Sequence, residues 1–380
     1  MARVSPEPQG PATEPAPAAS PGPDVYEPEA GTLREVTVTF RSIVEWQPGE
    51  RLVAAFEASR PGYGRWFLRD GEAARPTYAA CATALRRHMP ELEPTYERLV
   101  ELAGGGDLEA RFLSLWNPPP IFAACSIAAW TGGGGPALVR NYDYVPTLCD
   151  ATLLASEWSG ARVLAMTDCV WGVLDGVNEH GLAVALAFGG RRVIGHGFAV
   201  TLILRYALEL CRDVAEAVEA IGRIPVNLAY NVGVVDRAGT AAIVQISPDR
   251  APVVTPARVC ANRQGATEWA EHAQATDTVA REAALGALMG DSAMTLPALE
   301  AAFTAPPLYR ATAAQAWGTV YTAAYDCVDP GVRLRWPDDV WNVRLAAPVE
   351  EQRVRTMSVV TPPRAVAGRH AVGGAQMIFA

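Results

Sequence analysis

The chain is 380 residues long, half of them hydrophobic and 19% charged, with a formal net charge of −9. This is enough for one large or two ordinary domains with a sizeable core, and it excludes the basic surface that a nucleic-acid partner demands. All 32 basic residues are arginine, which excludes a Schiff-base lysine, a phosphate-loop lysine and a Ser-Lys dyad.

Residues 1–31 are rich in proline and alanine, with eight prolines before residue 31. Such a stretch cannot bury enough apolar surface to offset its chain entropy, and the expectation is a disordered tail. Glu35–Phe40 alternates polar and apolar residues and reads as a strand. Helices are expected over 78–87 and 93–102, the second introduced by Pro90 and stopped by the glycines 104–106. A further short helix over 107–115 runs into Asn117-Pro118-Pro119-Pro120, which breaks it.

The stretch from Ala124 to Tyr144 is A-C-S-I-A-A-W-T-G-G-G-G-P-A-L-V-R-N-Y-D-Y. Two apolar runs joined by a glycine turn predict a hairpin. It would return Cys125 to the neighbourhood of Arg140 and Asp143, gathering a thiol, a fixed positive charge and a carboxylate in one place. Taken alone, the hairpin is read more simply as a core strand with a buried cysteine and a surface salt bridge. Strand candidates follow at 152–158, 162–169, 171–176 and 182–188, with a tight turn at Asn178-Glu179-His180-Gly181. Apolar residues at helical spacing from Leu204 to Ile221 predict one long helix. Strands are expected at 228–235 and 240–246, and another ends at Asn262. Residues 267–303 read as helical, 319–326 and 332–336 as a last strand pair, and 349–380 as a tail without assigned structure. Strands, then helices, then strands fit a layered α+β domain rather than a doubly wound sheet.

The seven cysteines are scattered, odd in number and free of C-x-x-C pairs; the five histidines never fall at metal-ligand spacing. A reduced, metal-free, cytoplasmic protein is therefore expected, with no membrane span and no signal peptide. A catalytic Cys125 needs a base. His180 is one option, and the α-amino group of Cys125 itself, freed by cleavage before it, is the other. That amine titrates near 7.7–8.0 when unperturbed.

These residues resemble the acyl-coenzyme A:6-aminopenicillanic acid acyltransferase-like branch of the N-terminal-nucleophile hydrolases. More distantly they are similar to choloylglycine hydrolases and penicillin V acylases. The resemblance rests on Cys125, then Arg140-Asn141-Tyr142-Asp143, then Asn178-Glu179-His180-Gly181-Leu182, then Asn262. It implies a four-layer αββα sandwich over 125–348, preceded by a pro-segment over 32–124 that is cut off between Ala124 and Cys125. It further implies that Cys125 forms a thioester, Arg140 steadies the thiolate, Asp143 orients the α-amine, and Asn178 and Asn262 donate to the oxyanion. Arg310 is a further candidate in the C-terminal third. The implied activity is hydrolysis of a linear amide in a small molecule, with no resident cofactor and with the two fragments staying together. The alternative is N-acyl transfer from a coenzyme A thioester at the same site; a non-catalytic, uncut binding relative is the reading of another class. Ala124 and Ser126 depart from the glycine and threonine usual at those positions in the family.

Overall fold

A computed structural model describes residues 32–313 and 318–361. The expected disordered tail over 1–31 and the last part of the C-terminal tail lie outside the described residues.

The chain starts with β1 (Thr32–Val44), longer than the alternation at 35–40 suggests. Helix α1 (Glu50–Phe67) follows. Sequence reading passes over it because Pro61, Gly62 and Gly64 lie inside it, each unfavourable in a helix interior. Tertiary burial of Leu52, Phe56 and Phe67 outweighs that penalty. Phe67 and Phe56 both pack on Phe112. Helices α2 (Tyr78–His88), α3 (Glu93–Leu102) and α4 (Asp107–Leu113) complete the part before Cys125.

The hairpin is β2 (Ala124–Trp130) and β3 (Ala137–Tyr144), paired antiparallel and buried throughout all but its last residue. Gly134 and Gly135 make its turn with φ of +90° and +93°, a region that side chains disfavour. A meander follows through β4 (Thr152–Ser156), β5 (Val163–Asp168), β6 (Gly172–Asn178) and β7 (Ala183–Phe188). The single helix expected over 204–221 is in fact two, α5 (Val200–Leu210) and α6 (Val214–Arg223). Asp213 separates them, because its carboxylate accepts from the Glu216 N–H at 3.0 Å and caps the second helix.

The strands β8 (Tyr230–Val235), β9 (Ala241–Ser247), β10 (Arg250–Thr255) and β11 (Val259–Cys260) come next. The helical stretch resolves into α7 (Ala270–Ala275), α8 (Thr278–Gly290) and α9 (Leu296–Phe303). The chain then runs through β12 (Thr312–Ala313), β13 (Gly318–Asp326), β14 (Gly331–Trp336) and β15 (Asp339–Arg344). Residues left without structure in the sequence reading form β16 (Glu351–Thr361), which pairs with β1 along nearly its whole length.

Two sheets result. The larger has the order β10-β9-β8-β7-β6-β5-β4-β1-β16-β12, and the smaller β11-β2-β3-β13-β14-β15. They pack face to face through β2 and β3 against β7 and β8. Helices α5 and α6 cover the outer face of the large sheet, and α8 and α9 that of the small one. This is a four-layer αββα sandwich. Because β1 is hydrogen-bonded to both β4 and β16, the segment before Cys125 contributes a strand to the interior of the large sheet.

Candidate active site

Register decides what surrounds Cys125. It lies opposite Tyr142, with Ala124 opposite Asp143 and Ile127 opposite Arg140. Successive side chains on a strand point to opposite faces. Cys125, Arg140 and Tyr142 therefore face the large sheet, while Ser126, Asn141 and Asp143 face the helices.

On the thiol face, Arg140 donates from Nη2 to the Cys125 sulfur at 3.0 Å and from Nη1 to the Leu174 carbonyl at 3.1 Å. Nη1 also pairs with the Asp175 carboxylate. Asp175 in turn accepts from the Tyr321 hydroxyl at 2.7 Å and from the Tyr325 hydroxyl. The guanidinium carbon stands 4.7 Å from the centre of the Tyr142 ring. Cys125, Arg140 and Asp175 are all fully buried. Burial pushes the Cys125 thiol up, while Arg140 pulls it the other way. Burial also opposes the charge on Arg140, but Cys125 and Asp175 hold it well above the usual arginine value.

On the opposite face the backbone nitrogen of Cys125 is held. Its N–H donates to Asn262 Oδ1 at 3.0 Å. Arg281 of α8 donates to the same oxygen at 2.8 Å, to Ser126 Oγ at 2.8 Å and to Asp143 Oδ2 at 2.9 Å. The Thr319 hydroxyl donates to Asp143 Oδ1 at 2.7 Å. Burial raises the Asp143 carboxyl, and Arg281 works against that. Asn262 also donates from Nδ2 to the Phe188 carbonyl at 2.9 Å. Gly190 permits this loop to close on it: with φ +67°, a Cβ there would sit 2.1 Å from the Asn262 carbonyl oxygen.

Of the residues expected at the site, the structure brings together Ala124, Cys125, Arg140, Asp143 and Asn262. Two expectations are corrected, for Asn178 and Arg310, and Asp143 is seen here in the uncut chain. Asp143 does not accept from the Cys125 nitrogen in the uncut chain; it holds Arg281, which holds the Asn262 oxygen that does. Asn178 is on the wrong face for an oxyanion donor. It is three residues from Asp175 on one strand, so it points to the helix layer, where Nδ2 donates to the Leu208 and Cys211 carbonyls. Its Oδ1 accepts from the His180 and Leu182 N–H groups, which makes it the organiser of the turn before β7. Arg310 is one step removed, donating to the Ala275 carbonyl at 3.0 Å and to Asp277 at 3.3 Å.

Two residues escaped the sequence reading. Asp175 is the one charge in the strand G-V-L-D-G-V-N, and a lone acid in a buried strand signals a cation facing it. Arg281 is the only basic residue in α8, on the side that faces the core. No group of histidine, cysteine, aspartate and glutamate capable of holding a metal occurs among the described residues. No helix among them is long and apolar enough to cross a membrane.

A family model described as acyl-coenzyme A:6-aminopenicillanic acid acyl-transferase matches residues 130–341, more than half of the chain. The chain belongs to this family. The match begins after Cys125 and contains Arg140, Asp143, Asp175, Asn262 and Arg281. No curated protein matches the chain. Solved structures similar to it include a mutant of the conjugated bile acid hydrolase of Clostridium perfringens, at 14% identity and a TM-score of 0.41, covering 60% of this chain and 96% of that one. A Caenorhabditis elegans orthologue of N-acylethanolamine-hydrolyzing acid amidase is similar at 15% identity and a TM-score of 0.42, covering 58% and 99%. Penicillin V acylase from Agrobacterium tumefaciens follows at 14% identity and 0.39, covering 58% and 86%. This acyltransferase-family chain has the four-layer αββα fold described above.

Proposed function

We propose that the chain cuts its own Ala124–Cys125 bond and then hydrolyses a linear amide through a thioester on Cys125. The observation that carries this reading is the separate tethering of the two atoms that flank the reaction: Arg140 holds the sulfur, and Asn262 with Arg281 holds the nitrogen. In the cut, the sulfur adds to the Ala124 carbonyl carbon, the C–N bond breaks and the nitrogen takes the thiol proton. Water then hydrolyses the thioester, leaving an Ala124 carboxylate and a free Cys125 amine and thiol.

In turnover that amine accepts the thiol proton and returns it to the departing amine of the substrate. Arg140 stays charged and stabilises the thiolate, and its charge lowers the basicity of the nearby amine, which keeps that amine neutral until it takes the thiol proton. Asn262 has a second amide hydrogen besides the one given to Phe188, and we assign that hydrogen to the oxyanion. A donor so placed is worth about 3–4 kcal/mol of barrier. Asp143 and Arg281 act as positioning residues for Asn262. The proposed fragments, 1–124 and 125–380, stay together through the β1 ladders to β4 and β16. All seven cysteines are unpaired, which supports a reducing compartment such as the cytoplasm.

The family description favours one second reading, in which a coenzyme A thioester acylates Cys125, releasing coenzyme A, and an amine in place of water receives the acyl group. Both readings share the acyl-enzyme. Acid quenching during turnover of an acyl amide, followed by mass measurement, should show the 125–380 fragment carrying one acyl group at Cys125. Turnover without any such adduct, and with Cys125→Ser fully active, would overturn the reading.

A further inference from the structure

Next to the site lies a largely apolar cleft in which several buried polar atoms have no hydrogen-bond partner among the described residues. Leu174, Leu186 and Leu228 form apolar wall, and Tyr142 and Tyr230 line it beside them. Tyr142 is the cross-strand partner of Cys125, and the Leu174 carbonyl is the one that Arg140 grips, so the cleft is continuous with the thiol face. Pro118, Ile121 and Ala123, the stretch leading to the proposed cut, roof it.

Three polar atoms in this wall are buried without a hydrogen-bond partner among the described residues: Trp66 Nε1, Thr201 Oγ1 and Asn227 Oδ1. Thr201 and Asn227 are 7% and 3% exposed. Leaving such a group unmatched is costly: Trp66 Nε1 lacks an acceptor, while Thr201 Oγ1 and Asn227 Oδ1 in the same cleft point to a ligand that supplies donors. The same wall carries Asp168. Its carboxylate shares the Tyr63 hydroxyl with Asp150, and no arginine forms an ion pair with either acid among the described residues. Arg41 lines the adjoining wider cleft with Asp150 and does not pair with it. Thr201 Oγ1 and the Asp168 main chain crowd the same glycine, Gly172, which places the hydroxyl at the Asp168 end of the cleft.

Resting on the amidase reading, we propose that this cleft takes the acyl half of the substrate and that this half is an apolar chain ending in a primary ammonium. An ammonium brings three donors and one positive charge. The side chains offer acceptors in Asp168, Asn227 and Thr201, and the Asp168 carboxyl has no arginine partner among the described residues. A carboxylate end would meet Asp168 with like charge. A plain alkyl end would leave Thr201 and Asn227 unmatched.

The test has two arms on the purified full chain. In the first, calorimetric titration compares hexylammonium, hexanol and hexanoate. Hexylammonium should bind at least about tenfold more tightly than either, a difference of about 1.4 kcal/mol. In the second, kcat/KM is compared for the p-nitroanilides of 6-aminohexanoic and hexanoic acid, and the cationic substrate should be favoured about tenfold or more. Asp168→Asn should collapse both preferences; if that variant fails to fold, Thr201→Val should reduce them. Selective binding of hexylammonium with no anilide turnover would leave the cleft assignment standing and overturn the amidase reading. Turnover that favours the hexanoyl anilide, with hexanol bound as well as hexylammonium, would overturn the cleft assignment and leave the amidase reading intact.

Discussion

Two arginine–aspartate pairs, both fully buried, flank Cys125 from opposite faces of one hairpin, and they do different work. Arg140 with Asp175 is an end point: the guanidinium touches the sulfur directly, and two tyrosine hydroxyls cap the acid behind it. Arg281 with Asp143 is a relay: it reaches the Cys125 nitrogen only through Asn262. Buried ion pairs are rarely net stabilisers, because desolvation offsets their attraction. Two such pairs around one cysteine are better understood as fixing its sulfur and its nitrogen independently.

Removing one partner of either pair strands a buried charge, which costs about 3–5 kcal/mol. The largest effect is expected on the thiol side. Arg140→Leu leaves Asp175 charged and unpaired, so chemical denaturation should show a loss of that size, and activity should vanish. Asp143→Asn breaks the relay instead. It should lose activity by about two to three orders of magnitude, as when one oxyanion donor is lost. It should also melt below wild type, because Arg281 keeps its charge in the core. If Asp143→Asn turned over near wild type, the nitrogen side would have no role in catalysis.

A third prediction separates these matched acids from the unmatched ones at Asp150 and Asp168. Burial, with Asp168 beside it, lifts the Asp150 carboxyl from 3.8 to about 7. A folded-state value raised in this way favours the folded chain at acid pH, and that advantage is lost as pH rises from about 4 through about 7. Asp150→Asn should therefore raise the melting temperature at pH 8 by a few degrees and bring no gain near pH 4. An equal gain at both values would show that Asp150 does not titrate as described. The smallest effect is expected at His180, which sits in the turn that Asn178 organises. His180→Ala should leave kcat within about twofold, whereas a loss of several orders of magnitude with unchanged stability would make histidine the base.

The same two faces show how far the sequence could be read. The hairpin was legible because a glycine turn between two apolar runs has few other uses, and the layered α+β order followed from the succession of strands and helices. Sulfur, arginine and carboxylate do meet around one cysteine, but strand parity puts them on two sides of it, because residues 140 and 143 cannot face the same way on β3. The same rule separates Asn178 from Asp175 on β6. Arg281 was invisible because its partners at the site are 19, 138 and 155 residues away in sequence, and no local pattern encodes such distances. Strand β16 was missed because Arg353 and Arg355 sit where apolar residues are expected; their guanidinium groups lie over the Trp341 and Trp336 rings, so their stems do the covering.

The claim that both tethers serve a cysteine whose own amine becomes the base stands or falls on the covalent state of the active chain. Intact mass of the active protein, measured after denaturation, should show fragments of residues 1–124 and 125–380 that co-elute under native conditions. Cys125→Ala should give one uncut, inactive chain. A fully active protein with the mass of the unbroken 380-residue chain would contradict the account, because the Cys125 nitrogen would still be an amide and could not accept a proton.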